Sequence, residues 1–158
     1  KRRRKAMNSL NSSLYDETTF YAQFRQDLLR CSREVVIESP YITSARMVNL
    51  YPIFKKLIKR GVEVYVITRD PREHLESMEV QSEAEIQRFE RLGVQVFLCL
   101  GNDHRKLAIL DRKILWEGSL NILSQTNSRE IMRRIKSKEV AMEMFDFLNL
   151  GRFILNTT

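Results

Sequence analysis

Twice in this chain a helix-compatible stretch meets a glycine and passes straight into an apolar run: Lys59-Arg60-Gly61 before VEVYVI, and Arg91-Leu92-Gly93 before VQVFLC. A glycine at that place ends a helix by taking up the left-handed conformation. An apolar run without polar alternation marks a strand buried on both faces. A chain built by repeating that unit needs helices on both sides of a sheet. The remaining periodicities fit the plan. Phe20, Phe24, Leu28 and Cys31 predict a helix over 19–33, and Val35-Val36-Ile37 a short strand broken at Pro40. Leu50, Ile53, Phe54, Leu57 and Ile58 predict a helix closed by Gly61, with Pro52 near its start, where the missing N–H costs nothing. Ser82 and Glu85 predict a capping box for a helix carrying Ile86, Phe89 and Leu92.

After Gly101 the rhythm shortens. Arg105–Leu110 and Ile114–Leu120 are separated only by Asp111-Arg112-Lys113, which reads as a hairpin turn. Arg129–Ile135 reads as a last strand, and Ser137 as the cap of a terminal helix with Val140, Ala141, Met144, Phe145 and Leu148 on its core face. Trp116 and Phe97 are expected in the core. The expected fold is one α/β domain over 14–158, a mixed and mainly parallel sheet flanked by helices on both faces. Residues 1–13 are expected to form a basic flexible arm. The first residue is Lys rather than Met, as in a domain taken from a longer protein.

The net charge of +7 is unevenly spread. Without Lys1–Lys5, 22 basic residues stand against 20 acidic ones. A second basic cluster comprises Arg129, Arg133, Arg134, Lys136 and Lys138. Such clusters suit nucleic-acid phosphates, because each neutralised phosphate releases counterions. No apolar run approaches the roughly 20 residues of a membrane span, and the N-terminus lacks the apolar stretch of a secretion signal. Cys31 and Cys99 are too few and too far apart for a metal knuckle or disulfide framework, which points to a reducing, cytoplasmic setting.

His104 and Lys106 stand two apart, so on a strand both project from one face. Folding the hairpin about Arg112 brings Lys106 opposite Gly118 or Ser119, and His104 opposite Leu120 or Asn121. An imidazole, an ammonium, a hydroxyl and a carboxamide then gather at one end of the sheet. Gly118 is expected to leave room for a ligand. Those groups suit a phosphate: Lys106 as a point charge, Ser119 and Asn121 as neutral donors, His104 as nucleophile or acid.

His104-x-Lys106, Asp111 after four intervening residues, Gly118-Ser119-x-Asn121 and Asn127-x-x-Glu130 together resemble the phospholipase D superfamily. The upstream alternation and the short length resemble its bacterial nuclease-type branch. The resemblance implies a metal-independent phosphodiesterase with no cofactor. It implies that one histidine attacks phosphorus to give a phosphohistidine, while a second protonates the leaving oxygen and later activates water. Lys106, Ser119 and Asn121 are then phosphate ligands, Glu130 the residue that orients His104, and Asp111 a supporting catalytic group.

The family uses two such motifs, and this chain has one. Its other histidine, His74, has no lysine two residues on. The second half of the site is therefore expected from another subunit, most economically across a twofold axis. The expected substrate is nucleic acid, DNA ahead of RNA, with Arg129, Arg133 and Arg134 on the backbone. The competing readings are a nucleic-acid-binding module of a larger helicase, restriction or defence protein, and a lipid phosphodiesterase. The latter would need a lipid-binding surface or anchor that the sequence does not offer.

Overall fold

The computed structural model describes residues 11–73 and 76–154. In chain order the elements are β1 (Asn11–Asp16), α1 (Phe20–Leu29), β2 (Glu34–Glu38), α2 (Ser44–Lys59), β3 (Glu63–Arg69), α3 (Glu76–Leu92), β4 (Gln95–Cys99), β5 (Leu107–Leu110), β6 (Ile114–Gly118), β7 (Ile131–Lys136) and α4 (Lys138–Phe147). The strands form one sheet in the order β1-β7-β6-β5-β2-β3-β4. Helices cover both faces, but α2 and α3, the helices of the two glycine-punctuated repeats, share one face with α1, and the C-terminal α4 covers the other. One face packs Val35, Ile37, Val64, Val66 and Trp116 against α1, α2 and α3. The other packs Val36, Ile67, Ile109 and Leu115 against Ala141 and Phe145 of α4. Along each strand the two faces take alternate residues, which is why the runs read as continuously apolar.

The sheet is mixed, but the expectation that it is mainly parallel does not hold. Among the described residues, the parallel pairs are β2–β3 and β3–β4. β1–β7, β6–β7, β5–β6 and β2–β5 are antiparallel. The helix–glycine–strand repeats account for the parallel half, and the hairpin after Gly101 builds outward from β2 the other way. Gly61 and Gly93 close α2 and α3 at φ 84 and φ 105, as the sequence demands.

Three further expectations need correction. Asn11–Ser13 are not part of an arm: they begin β1, which pairs with β7 from Asn11 opposite Lys136 to Asp16 opposite Ile131. Leu14 and Tyr15 are the two apolar side chains of this edge strand, so its ladder rather than its hydrophobicity holds it. Pro52 lies well inside α2, which Thr43 opens by accepting from Arg46 N at 3.4 Å. Pro52 and Val48 are both exposed, so the Val48 carbonyl that lacks an N–H donor faces water. Ser82 is no cap: α3 begins at Glu76, and Ser82 is buried inside it. Lys1–Lys5 and His74 lie outside the described residues.

The interior also contains an ion pair. Asp27, on α1, is 1 % exposed and accepts from Arg134 Nε at 2.7 Å, Arg134 Nη2 at 2.9 Å and Trp116 Nε1 at 3.0 Å. With Gln23 Nε2 at 3.0 Å as a fourth, these donors keep a buried charge tolerable. Those from Trp116 and Arg134 join α1 to β6 and β7.

Candidate active site

The hairpin takes the register that the sequence predicts. Leu107 pairs with Glu117 and Leu110 with Ile114, and Gly118 N donates to Lys106 O at 3.3 Å. Lys106 therefore stands opposite Gly118, and Ser119 lies one residue beyond the pairing. His104 and Lys106 precede β5 in extended chain at the open end of the sheet. His104 is exposed and its imidazole has no hydrogen-bond partner among the described residues; Lys106 is half-buried, with Nζ donating to His104 O at 2.8 Å. An imidazole free of internal partners, beside an ammonium, leaves donors open to an anion.

Two open grooves meet here. One, of about 590 Å³, is lined by His104, Arg105 and Lys106 together with Arg133 and the α4 residues Met144 and Phe147. The other, of about 680 Å³, is lined by Ser119, Arg129 and Glu130 with Asp16 and Glu17. Gly118 and Ile131 belong to both, so His104, Lys106, Ser119, Arg129, Glu130 and Arg133 border one continuous surface, while Asn121, Asp111 and Arg134 line neither groove.

Within it several side chains are committed to the fold. A Cβ on Gly118 would overlap the Ile131 carbonyl oxygen and lie 2.8 Å from Met132 Sδ, so β7, not a ligand, occupies the space that glycine frees. Ser119 Oγ accepts from Ile131 N at 3.0 Å, and Ser119 N donates to Ile131 O at 2.9 Å. Its hydroxyl also donates to Ile131 O at 3.4 Å, a long bond that it would exchange for one to a phosphate. Asn121 is half-buried with Oδ1 closed off from solvent and unpaired among the described residues. Glu130 accepts from Ser128 Oγ at 2.7 Å, and in the single chain no hydrogen bond joins it to His104.

Asp111 stands apart. It occupies the hairpin turn at φ 52, at the opposite end of β5 from His104, and its carboxylate accepts from Ser32 N at 2.9 Å, Arg33 N at 2.8 Å and Glu34 N at 2.9 Å. Its position fits an anchor for the start of β2, not a supporting catalytic group. Arg134 is likewise unavailable to nucleic acid, because β7 directs it inward to Asp27 while the adjacent Arg133 faces the groove. Arg129 is exposed beside Ser119.

Sequence reasoning missed the residues that hold His104's segment. Gly101 N donates to Glu73 Oε1 at 2.8 Å, and Arg69 donates to Asn102 Oδ1 at 3.1 Å, to Glu73 Oε2 at 3.0 Å and to Tyr41 Oη at 3.2 Å. Gly101 at φ 89 and Asn102 at φ 57 turn the chain sharply there. Glu38, the last residue of β2, is 3 % exposed. Burial first, and then the charge and hydrogen bond of Asp103, push its carboxyl up to about 8. The sequence signal was an acid closing the otherwise apolar run Val35-Val36-Ile37.

An α/β sheet that presents a histidine and a lysine two residues apart above a basic groove defines a phosphodiester-handling class of domain. The chain belongs to the phospholipase D superfamily: residues 24–149 match the family described as cardiolipin synthase, PLD-like domain. No curated protein matches the sequence. Among solved structures the fold resembles NucT from Helicobacter pylori, with TM-score 0.68, 19% identity, and 87% of this chain and 92% of that one covered. It also resembles Nuc from Salmonella typhimurium, a phospholipase D family member, with TM-score 0.69, 16% identity, and 86% and 91% covered. Phosphatidylserine synthase from Haemophilus influenzae aligns with TM-score 0.62 and 15% identity over 91% of this chain but 39% of that one. These likenesses are of fold, and they take in about nine-tenths of the Nuc and NucT chains.

Proposed function

We propose that this chain is a phosphodiesterase that cleaves nucleic acid, DNA in preference to RNA, without a metal, in a site shared by two copies. The observation that carries the reading is the pair His104 and Lys106, side by side at the open end of the hairpin in a groove with Arg105 and Arg133. An imidazole nitrogen of His104 attacks phosphorus, one P–O bond breaks, and the leaving oxygen takes a proton from His104 of the partner subunit. That second imidazole, now neutral, takes a proton from water as the water displaces the phosphohistidine. Lys106 from each copy balances the charge on the phosphoryl oxygens, and Ser119 and Asn121 donate to them.

Twofold pairing has support of its own. Leu14, Ile131 and Phe147, at 62%, 63% and 83% exposed, all border the His104 groove. Large apolar groups clustered beside half a site mark a surface that another protein surface covers. Arg133 and Arg129 then continue the basic track away from the reacting phosphate. Cys31 and Cys99 are free thiols, which suits the cytoplasm. No described helix is long and apolar enough to cross a membrane.

The test is direct. Labelled single- and double-stranded DNA, RNA and phosphatidylcholine are incubated with the protein in excess EDTA, alongside His104→Ala. The expected result is cleavage of DNA in EDTA that disappears with His104→Ala. Cleavage abolished by chelation removes the metal-free mechanism, and turnover of phosphatidylcholine alone transfers the site to lipid. Binding of nucleic acid without cleavage by the unsubstituted protein makes the chain a binding module.

A further inference from the structure

We propose that Glu38 and Asp103 share a single proton, and that this proton holds the segment carrying His104 in its presenting conformation, making Glu38 a positioning residue. The inference rests on the role given to His104 above, but its structural part stands by itself.

Glu38 ends β2 and is 3 % exposed. Its carboxyl, the Asp103 carboxyl and Cys99 Sγ have ligand atoms all within 4.8 Å of one another. Asp103 directly precedes His104. Asp103 Oδ1 accepts from Arg105 N at 3.1 Å, while Oδ2 is shut off from solvent with no donor among the described residues. Two carboxylates this close, away from water, cannot both ionise cheaply, and one proton between them removes the repulsion and supplies the donor that Oδ2 lacks. The raised Glu38 carboxyl is consistent with that.

The charged and titratable groups facing the pair are Cys99 from β4, Arg105 from the same segment, and Arg152 from the C-terminal turn. Two guanidiniums already offset the pair's remaining negative charge. A proton satisfies this site, whereas a further cation would face Arg105 and Arg152.

The consequence follows from where the segment is tied. Gly101 and Asn102 are held by Glu73 and Arg69, and Lys106 by Gly118. Between those ties Asp103 brings the chain against the sheet's interior, at Glu38 and Cys99. Losing the shared proton sets carboxylate against carboxylate and releases His104 and Arg105 together. The protonated form holds below pH about 8 and gives way as pH rises through it.

The experiment follows the carboxyl ¹³C signal of Glu38 and the amide signals of His104 and Arg105 against pH in the intact chain, with cleavage measured in parallel. The expected result is one transition near pH 8 in all three signals. Glu38→Gln, whose amide can still donate to Asp103, should abolish the amide transition and extend cleavage to higher pH. Asp103→Ala should lower kcat on the order of tenfold with KM little changed, as displacement of a reacting group does. A Glu38 carbon that titrates below pH 6, or amide transitions that persist in Glu38→Gln, overturns the proposal. The ¹³C reading needs no variant, so a misfolded substitution does not obscure it. The same transitions in a protein that cleaves nothing would sink the nuclease reading and leave the shared proton intact.

Discussion

At Gly118 the structure asks for a residue without a side chain, and the reason is β7, not a substrate. Gly118→Ala places a methyl group against the Ile131 carbonyl, a backbone atom that cannot swing aside. We expect a loss of about 3 kcal/mol in denaturant unfolding, at the upper end of what overpacking costs. Asp111→Ala removes an acceptor from three backbone N–H groups and should cost roughly 2 kcal/mol, while the folded fraction retains its cleavage rate. Cleavage lost from fully folded Asp111→Ala would return that residue to the chemistry. The motif spacing from His104 to Glu130 was legible because it is local in sequence, and so was the hairpin register. Which atoms the fold itself consumes was not. Asp111 meets amides 77–79 residues away, and Ser119 meets Ile131 across a loop.

Neighbours on one strand divide the work at the next scale. β7 sends Arg133 into the groove and Arg134 to Asp27. Arg134→Ala strands a carboxylate that is 1 % exposed, so it should destabilise the protein by about 3–5 kcal/mol and perturb the fluorescence of Trp116, which shares that acceptor. Arg133→Ala should leave the melting temperature in place and weaken DNA binding, with the salt dependence falling by about one counterion. Equal stability losses in both variants would contradict this division. The sequence located the strand and its basic residues, but their facing depends on Asp27, which lies 107 positions away from Arg134. It missed β1 for a related reason: NSSLYD has little apolar signal, and only its ladder to β7 makes it a strand. The mainly parallel expectation failed because the legible repeats were the parallel ones. At β2 the Glu38 carboxyl has its own pH dependence. Its value in the fold lies above the ordinary 4.5, so the fold keeps a proton that the unfolded chain releases. The stability it contributes is whole below that ordinary value and is lost as pH rises through about 8. Glu38→Gln should flatten a plot of unfolding free energy against pH over that window.

Under the proposed function the molecule as a whole supplies half of a two-histidine site, and exposed apolar residues border its His104 groove. Phe147→Glu should shift sedimentation toward monomer, leave the circular dichroism spectrum unchanged, and reduce cleavage in proportion to the dimer lost. The central claim is that two copies of His104 act on one phosphate, and it can be read from a single titration. Unsubstituted protein is co-refolded with His104→Ala at constant total concentration, and the DNA cleavage rate in excess EDTA is followed against the unsubstituted fraction. Random pairing of subunits makes the rate fall as the square of that fraction, to about one quarter at equal mixing. A rate that falls in simple proportion, to about one half, would mean that each chain works alone, and the shared site would be wrong.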